Sequence, residues 1–154
     1  MIELPAPSDE VVLRWDSLGG LRTAGDPGGA ALLVHADGRF SARGAKLDGP
    51  RRTGRLTAEQ LRSLLVRIVV NEKFASLDGA DIAARIRQSA AARGELWNVM
   101  DGGVTRIEVN LPKVRHTVEL ANLLDARDRF PDIEPLKHLV AVRRLLVEVL
   151  QTVQ

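Results

Sequence analysis

Hydrophobic and polar residues alternate along three stretches of the chain, and this period of two is typical of half-buried β-strands. The stretches are VVLRWDS (11–17), VTRIEVN (104–110) and VRHTVEL (114–120), and the last two are predicted to form a hairpin. Their inward side chains are predicted to be Val11, Leu13 and Trp15, then Ile107 and Val109, then Val114, His116, Val118 and Leu120. The pattern therefore indicates strands of an antiparallel sheet with one buried face.

A second hairpin is predicted in ALLVHADGRFSAR (31–43), where Asp37-Gly38 separates two short apolar runs. Asp-Gly favours a type I′ turn, because both central residues of that turn need a positive φ. A two-residue turn at this point pairs His35 with Phe40. One face of the hairpin is then predicted to carry Leu33, His35, Phe40 and Ala42.

Two helices are predicted from their capping residues. Thr57 and Gln60 match a capping box, in which each side chain satisfies a main-chain N–H at the start of a helix. A second helix follows, with Asp81 as its predicted N-cap and Gly94 as the residue that ends it.

The last helix has the strongest amphipathic pattern and begins near Pro135, after the polar link LLDARDRFPDI (123–133). Its core stripe is predicted to be Leu139, Val142, Leu146, Val149 and Val153. Four more apolar residues lie beside that stripe, namely Leu136, Val140, Leu145 and Val147. Either the sheet and the first helix bury them, or they form a surface for a partner or a second copy of the chain.

The order strand, hairpin, helix, helix, hairpin, helix predicts an α+β fold. We expect a single antiparallel sheet built from hairpins, with three helices packed mainly on one face. One domain is expected over residues 11–154, preceded by an N-terminal extension over residues 1–10. A chain of 154 residues with 45% hydrophobic residues has enough apolar material for one core.

The composition excludes several classes of site. The chain has no Cys, which rules out disulfides, thiolate zinc sites and Cys nucleophiles. Aromatic residues make up only 3% and Tyr is absent, which argues against a stacking surface for single-stranded nucleic acid. No P-loop, GxGxxG or GxSxG motif is present. We therefore expect no cofactor and no catalytic activity.

The sequence also bears on the compartment. No stretch approaches the ~20 consecutive apolar residues that a membrane-spanning helix requires. The first residues, MIELPAPSDE, lack the basic and apolar regions of a signal peptide. The sequence as written predicts a cytoplasmic protein, or an exported one whose leader has been removed.

Residues 38–55 hold six basic side chains and one acidic side chain. The basic residues are Arg39, Arg43, Lys46, Arg51, Arg52 and Arg55. Such a cluster would bind the phosphates of a nucleic acid without sequence preference. The alternative is the solvated rim of an edge strand, where positive charge prevents aggregation. We favour the rim, because the net charge is only +2 and no nucleic-acid-binding motif accompanies the cluster.

His35 and His116 are both predicted to face inward on strands, and with Asp37 or Asp101 they would supply ligands for a metal ion. The chain lacks the HxH and HExxH spacings of metal sites. We therefore favour half-buried imidazoles that hydrogen-bond to main-chain carbonyls. A hydrolase or metal-dependent enzyme that uses the two histidines is kept as an alternative.

The order of several motifs resembles a group of small bacterial α+β proteins of unknown function, found in planctomycetes and related bacteria. The motifs are LLVHADGRF, GRLTAEQLRSLL, VMDGGVTRIEV, RHTVEL and RFPDIEPLKHLVAVRRLL. The resemblance covers about residues 11–150 and implies the same succession of strands and helices. This chain departs from the group at Gly102-Gly103-Val104, where an Ala-Pro-Thr run is usual. The resemblance implies no activity.

The function predicted from the sequence is that of a non-catalytic protein-binding or accessory domain. Its partner is expected to be another protein or a second copy of the chain, with Leu136, Val140, Leu145 and Val147 at the interface. Nonspecific nucleic-acid binding through residues 38–55 is the alternative.

Overall fold

The computed structural model describes residues 2–18, 30–43, 51–97 and 103–152. These residues form six strands in one antiparallel sheet, in the order β4-β3-β2-β1-β5-β6. The strands are β1 (Val11–Leu18), β2 (Ala30–His35), β3 (Arg39–Ala42), β4 (Arg52–Arg55), β5 (Val104–Asn110) and β6 (Arg115–Ala121). The predicted single antiparallel sheet is confirmed.

Four α-helices accompany the sheet in the described part of the chain, one more than predicted. They are α1 (Ala58–Val66), α2 (Gly79–Ala92), α3 (Leu123–Arg129) and α4 (Glu134–Gln151). A π-helical turn, Arg67–Asn71, continues α1, and a 3₁₀ turn, Phe74–Ser76, precedes α2. The additional helix is α3, in the segment predicted as a polar link. Its Leu123 and Ala126 are buried one turn apart, which gives this short helix its contact with the core.

The sheet has one face toward the core and one open face. Trp15 lies opposite both Ile107 of β5 and Leu32 of β2, so the three side chains share the core face. They belong to one buried cluster that includes the apolar stripes of the helices. Arg14 lies opposite Glu108 on the other side of the sheet, which we call the open face. The predicted α+β class is confirmed.

The register predicted for the hairpin between β2 and β3 is wrong by one residue. Val34, not His35, lies opposite Phe40. The N–H of Gly38 donates to the C=O of His35 at 2.9 Å, and Gly38 has a φ of 90°. These features are typical of a three-residue loop in which a left-handed glycine follows the turn, a geometry that Asp-Gly also fits. Leu33 and His35 therefore lie on the open face.

The helix caps were predicted in part. The capping box is confirmed, because Thr57 Oγ1 accepts the Gln60 N–H at 3.1 Å and Gln60 Oε1 accepts the Thr57 N–H at 2.8 Å. The predicted cap of α2 is wrong. Asp78 caps this helix, since its carboxylate accepts two main-chain N–H groups, and Asp81 lies in the first turn. Gly94 follows the end of α2 as predicted, with a φ of 70°.

Replacing Thr57 by Ala is expected to lower the free energy of unfolding by about 1 kcal/mol, because the Gln60 N–H at the start of α1 loses the Thr57 hydroxyl as its acceptor. Urea unfolding followed by circular dichroism measures the change. The control is Ser63→Ala, an exposed position of α1 that makes no cap, with an expected change below about 0.5 kcal/mol. Equal losses in both variants would contradict a role for the capping box.

The segment 2–10, expected as an extension, lies against the β2–β3 hairpin. The C=O groups of Ser8 and Glu10 accept hydrogen bonds from main-chain N–H groups of the hairpin loop, at 2.9 and 2.8 Å. The side chain of Ile2 is only 8% exposed and belongs to the core cluster. These residues therefore contribute to the packed structure.

Candidate binding surface at the sheet edge

The two edges of the sheet differ in what covers them. Next to β6, Gly79 at the start of α2 is so close to the Glu119 C=O that a Cβ added there would be 2.0 Å from the oxygen. The Nε2–H of His116, also on β6, donates to the Leu77 C=O at 2.6 Å. The segment that leads into α2 therefore covers the β6 edge. At the opposite edge, β4 has no neighbour other than β3 among the described residues.

The main chain of β4 presents unpaired groups at this edge. In an antiparallel ladder, alternate residues direct their N–H and C=O groups to the neighbouring strand. The Leu56 N–H donates to the Gly38 C=O at 2.8 Å, which assigns the hydrogen-bonded positions of the ladder to even-numbered residues. The Arg43 N–H bonds to β2 instead, in agreement with this assignment. Thr53 and Arg55 therefore direct their N–H and C=O groups away from β3, where no described residue pairs with them.

Two arginines of the basic segment meet beside these groups. Arg39 and Arg55 lie opposite each other in the β3–β4 ladder, so both belong to the open face. Arg39 forms an ion pair with Asp37, with 2.8 Å between Nε and Oδ2, and Arg55 is exposed. A hollow of about 510 Å³ lies between them and is also lined by His35 and Thr53. The edge of β4 is therefore flanked by positive charge and by space for a side chain.

Arg51 has a structural role in the same region. Its Nη1 donates to the Ala30 C=O at 2.6 Å, and its Nε and Nη2 donate to the Ser41 hydroxyl at 3.1 and 2.8 Å. Burial lowers the pKa of Arg51, and the charges of Arg43 and Arg14 lower it further. The guanidinium thus ties the start of β4 to β2 and β3, and its donors are occupied within the chain.

The remaining basic residues do not extend the cluster into one surface. Arg52 lies opposite Ala42, so it points to the face opposite Arg55. Lys46 lies outside the described residues. The predicted six-residue basic segment is therefore divided between the two faces of the sheet. Arg39, Arg51 and Arg55 lie on the open face, and Arg43 is near enough to Arg51 for its charge to lower the pKa of Arg51.

The two histidines predicted as metal ligands are far apart. His35 is on β2 and His116 on β6, with β1 and β5 between them, so the strands are separated by ~14 Å. Each ring bonds to a main-chain carbonyl, His35 to Asp9 at 2.7 Å and His116 to Leu77 at 2.6 Å. This matches the favoured prediction of hydrogen-bonded imidazoles. The two residues cannot share one metal ion.

Asp101, the other proposed ligand, lies outside the described residues. Within the described ranges, no group of three or more His, Asp or Glu side chains is arranged to hold a metal ion. No helix in these ranges is long and apolar enough to cross a membrane.

The apolar residues proposed as an interface on α4 are mostly packed inside the chain. Leu136, Val140 and Leu145 are 2%, 8% and 5% exposed, and Val147 is half-buried. This agrees with the alternative interpretation, in which α4 is an internal helix. It leaves these four side chains with little area for a partner.

Sequence reasoning missed β4 because RTGR, residues 52–55, contains no apolar residue and so has no alternation to detect. The strand is held by main-chain pairing with β3 and by the Arg51 side chain. A Thr between two arginines beside a hairpin was the available signal, since Thr favours strands.

No family model, no curated protein and no solved structure matches this chain. The resemblance to the small bacterial α+β proteins therefore stays a prediction. In the described part of the chain, the most distinctive feature is the edge of β4, which pairs with no strand other than β3.

Proposed function

We propose that the chain is a non-catalytic protein-binding domain that binds an extended, acidic segment of a partner as an additional strand beside β4. The observation that carries the proposal is the pair of outward-facing residues, Thr53 and Arg55, whose N–H and C=O groups have no partner in the described structure. A peptide that adds a strand to a sheet edge gains affinity from such main-chain groups and specificity from alternate side chains.

The positive charge of Arg39 and Arg55 beside the β4 edge favours an acidic partner. Every second side chain of an added strand would lie on the open face, next to Arg55 and within reach of Arg39. Carboxylates at these positions would form cross-strand pairs with the arginines. A second copy of the chain is a poor occupant, because pairing two β4 strands brings the arginines of both copies to the same edge, where their positive charges repel.

Nonspecific nucleic-acid binding is the second candidate function. It is favoured by the shared location of Arg39, Arg51 and Arg55 on the open face. Two contacts weaken it, since Arg39 is paired with Asp37 and the donors of Arg51 are occupied within the chain. Phosphate binding would use the arginine side chains, whereas strand addition requires the main chain of Thr53, and this difference separates the two candidates.

Thr53→Pro tests the proposal directly. Proline removes the outward N–H of residue 53 and places a ring where the added strand would lie, while the bonds to β3 come from neighbouring residues. A fluorescent octapeptide of alternating Glu and Val is expected to bind the wild type, and the variant is expected to bind it about tenfold more weakly. Fluorescence anisotropy measures both affinities.

Thr117→Pro is the matched control, because Thr117 is an exposed residue that also faces outward, but on the covered β6 edge. It is expected to leave peptide affinity unchanged. Equal affinity of wild type and Thr53→Pro for the peptide would rule out strand addition at β4. If duplex DNA binds wild type and Thr53→Pro alike while the peptide does not bind, the nucleic-acid alternative is correct.

A further inference from the structure

A groove between α3 and α4 combines an apolar floor with a cationic rim. It has a volume of about 280 Å³. Its floor includes Phe130, Pro131 and Val140, and its rim is formed by Arg127, Lys137 and Arg144. We call it the α3–α4 groove. It shares no residue with the β4 edge, so it is independent of the proposed function.

The positive charges of the rim are only weakly offset by nearby carboxylates. None of the described residues that line the groove is acidic. Arg127 pairs with its neighbour Asp128 at 2.9 Å, and Lys137 pairs with Glu134 at 3.4 Å. All four side chains are largely exposed, and ion pairs of this kind contribute little and exchange readily. Arg144 is exposed and has no ion-pair partner among the described residues.

A half-buried cation beside the groove, Arg143, adds to the positive field. The guanidinium of Arg143 lies over the Trp15 ring, 5.5 Å from its centroid. Burial lowers the pKa of Arg143, and the positive charge of Arg127 lowers it further. A negative charge bound near Arg127 would offset the repulsion between Arg127 and Arg143. The part of α4 around Arg143 therefore favours an anion.

We infer that the α3–α4 groove binds a small amphipathic anion, a carboxylate with a short aliphatic or aromatic tail. The carboxylate would lie among Arg127, Lys137 and Arg144, where charge-assisted hydrogen bonds are available. The tail would lie on Phe130 and Val140, where burial of its apolar surface is favourable. A volume of about 280 Å³ is just below the usual range for ligand sites, so the groove suits a small occupant.

Titration of the full chain with sodium octanoate tests the inference. In ¹H–¹⁵N NMR spectra, octanoate is expected to cause saturable shifts confined to the amides of α3, of the link 130–133 and of α4 as far as Arg144. Octan-1-ol carries a tail without the charge, and inorganic phosphate carries charge without a tail, and both are expected to bind at least about fivefold more weakly.

Arg144→Gln is expected to weaken octanoate binding by about fivefold, because it removes a cation of the rim. The matched control is Arg62→Gln, which removes an exposed helical arginine from α1 and is expected to leave binding unchanged. The inference is overturned if octan-1-ol or phosphate binds as tightly as octanoate, if the two variants behave alike, or if the shifts map outside residues 123–144.

Discussion

Replacing Asp16 by Ala is expected to lower the free energy of unfolding by about 3 kcal/mol. The side chain of Asp16 is fully buried, and both of its carboxylate oxygens accept the Arg14 Nε–H, at 3.0 and 3.2 Å. Arg106 of β5 is a second cation, 3.8 Å from the same carboxylate. Removal of the carboxylate leaves two cations close together without their shared partner. The Arg14 side chain is 27% exposed, which places the expected cost at the lower end for a broken buried pair.

Glu108→Ala is the control for this prediction, because Glu108 also pairs with Arg106 at 3.8 Å but is 40% exposed. An ion pair in that position is expected to contribute less than about 1 kcal/mol. Urea unfolding of both variants measures the difference. Equal losses would mean that burial of Asp16 adds nothing to the strength of the pair.

Gly38→Ala, in the β2–β3 hairpin, is expected to lower the free energy of unfolding by about 3 kcal/mol. Gly38 has a φ of 90°, a conformation that costs energy for any residue with a Cβ. An added Cβ would also be 2.2 Å from the Leu56 C=O. Because this oxygen belongs to the main chain next to β4, the collision would displace the end of that strand. Peptide binding at β4 is therefore expected to weaken together with stability.

Gly94→Ala separates the two causes. Gly94 has a φ of 70°, but no atom lies within 4 Å of a Cβ added there. Only the conformational cost applies, and the expected loss is between about 1 and 2 kcal/mol. If thermal or urea unfolding gives equal losses for Gly38→Ala and Gly94→Ala, the close approach of Leu56 has no energetic consequence.

Strands β5 and β6 and the start of α1 were predictable because their signals are local. The alternation around Ile107 and Val118 reflects burial on one face, and the two side chains are opposite each other in the ladder. The Thr57–Gln60 capping box involves groups three residues apart, so its geometry follows from the sequence alone.

Asp16 shows where a local pattern fails. The alternation of β1 places it on the side opposite Trp15, away from the core face. The face is correct, since Asp16 lies opposite Arg106, but the residue is fully buried. Its burial depends on neighbours that are distant in the chain. The residues VVLRWDS alone do not show which neighbours these are.

The sequence by itself determined the α+β class, two hairpins, the amphipathic helix α4 and the exclusion of cysteine chemistry, because each depends on the type and spacing of nearby side chains. Only the tertiary structure decided the separation of His35 and His116, the burial of Asp16 and the difference between the two sheet edges. The candidate binding surface belongs to this second group. N–H and C=O groups occur in almost every residue, so only the order of the strands shows which of them have no partner among the described residues.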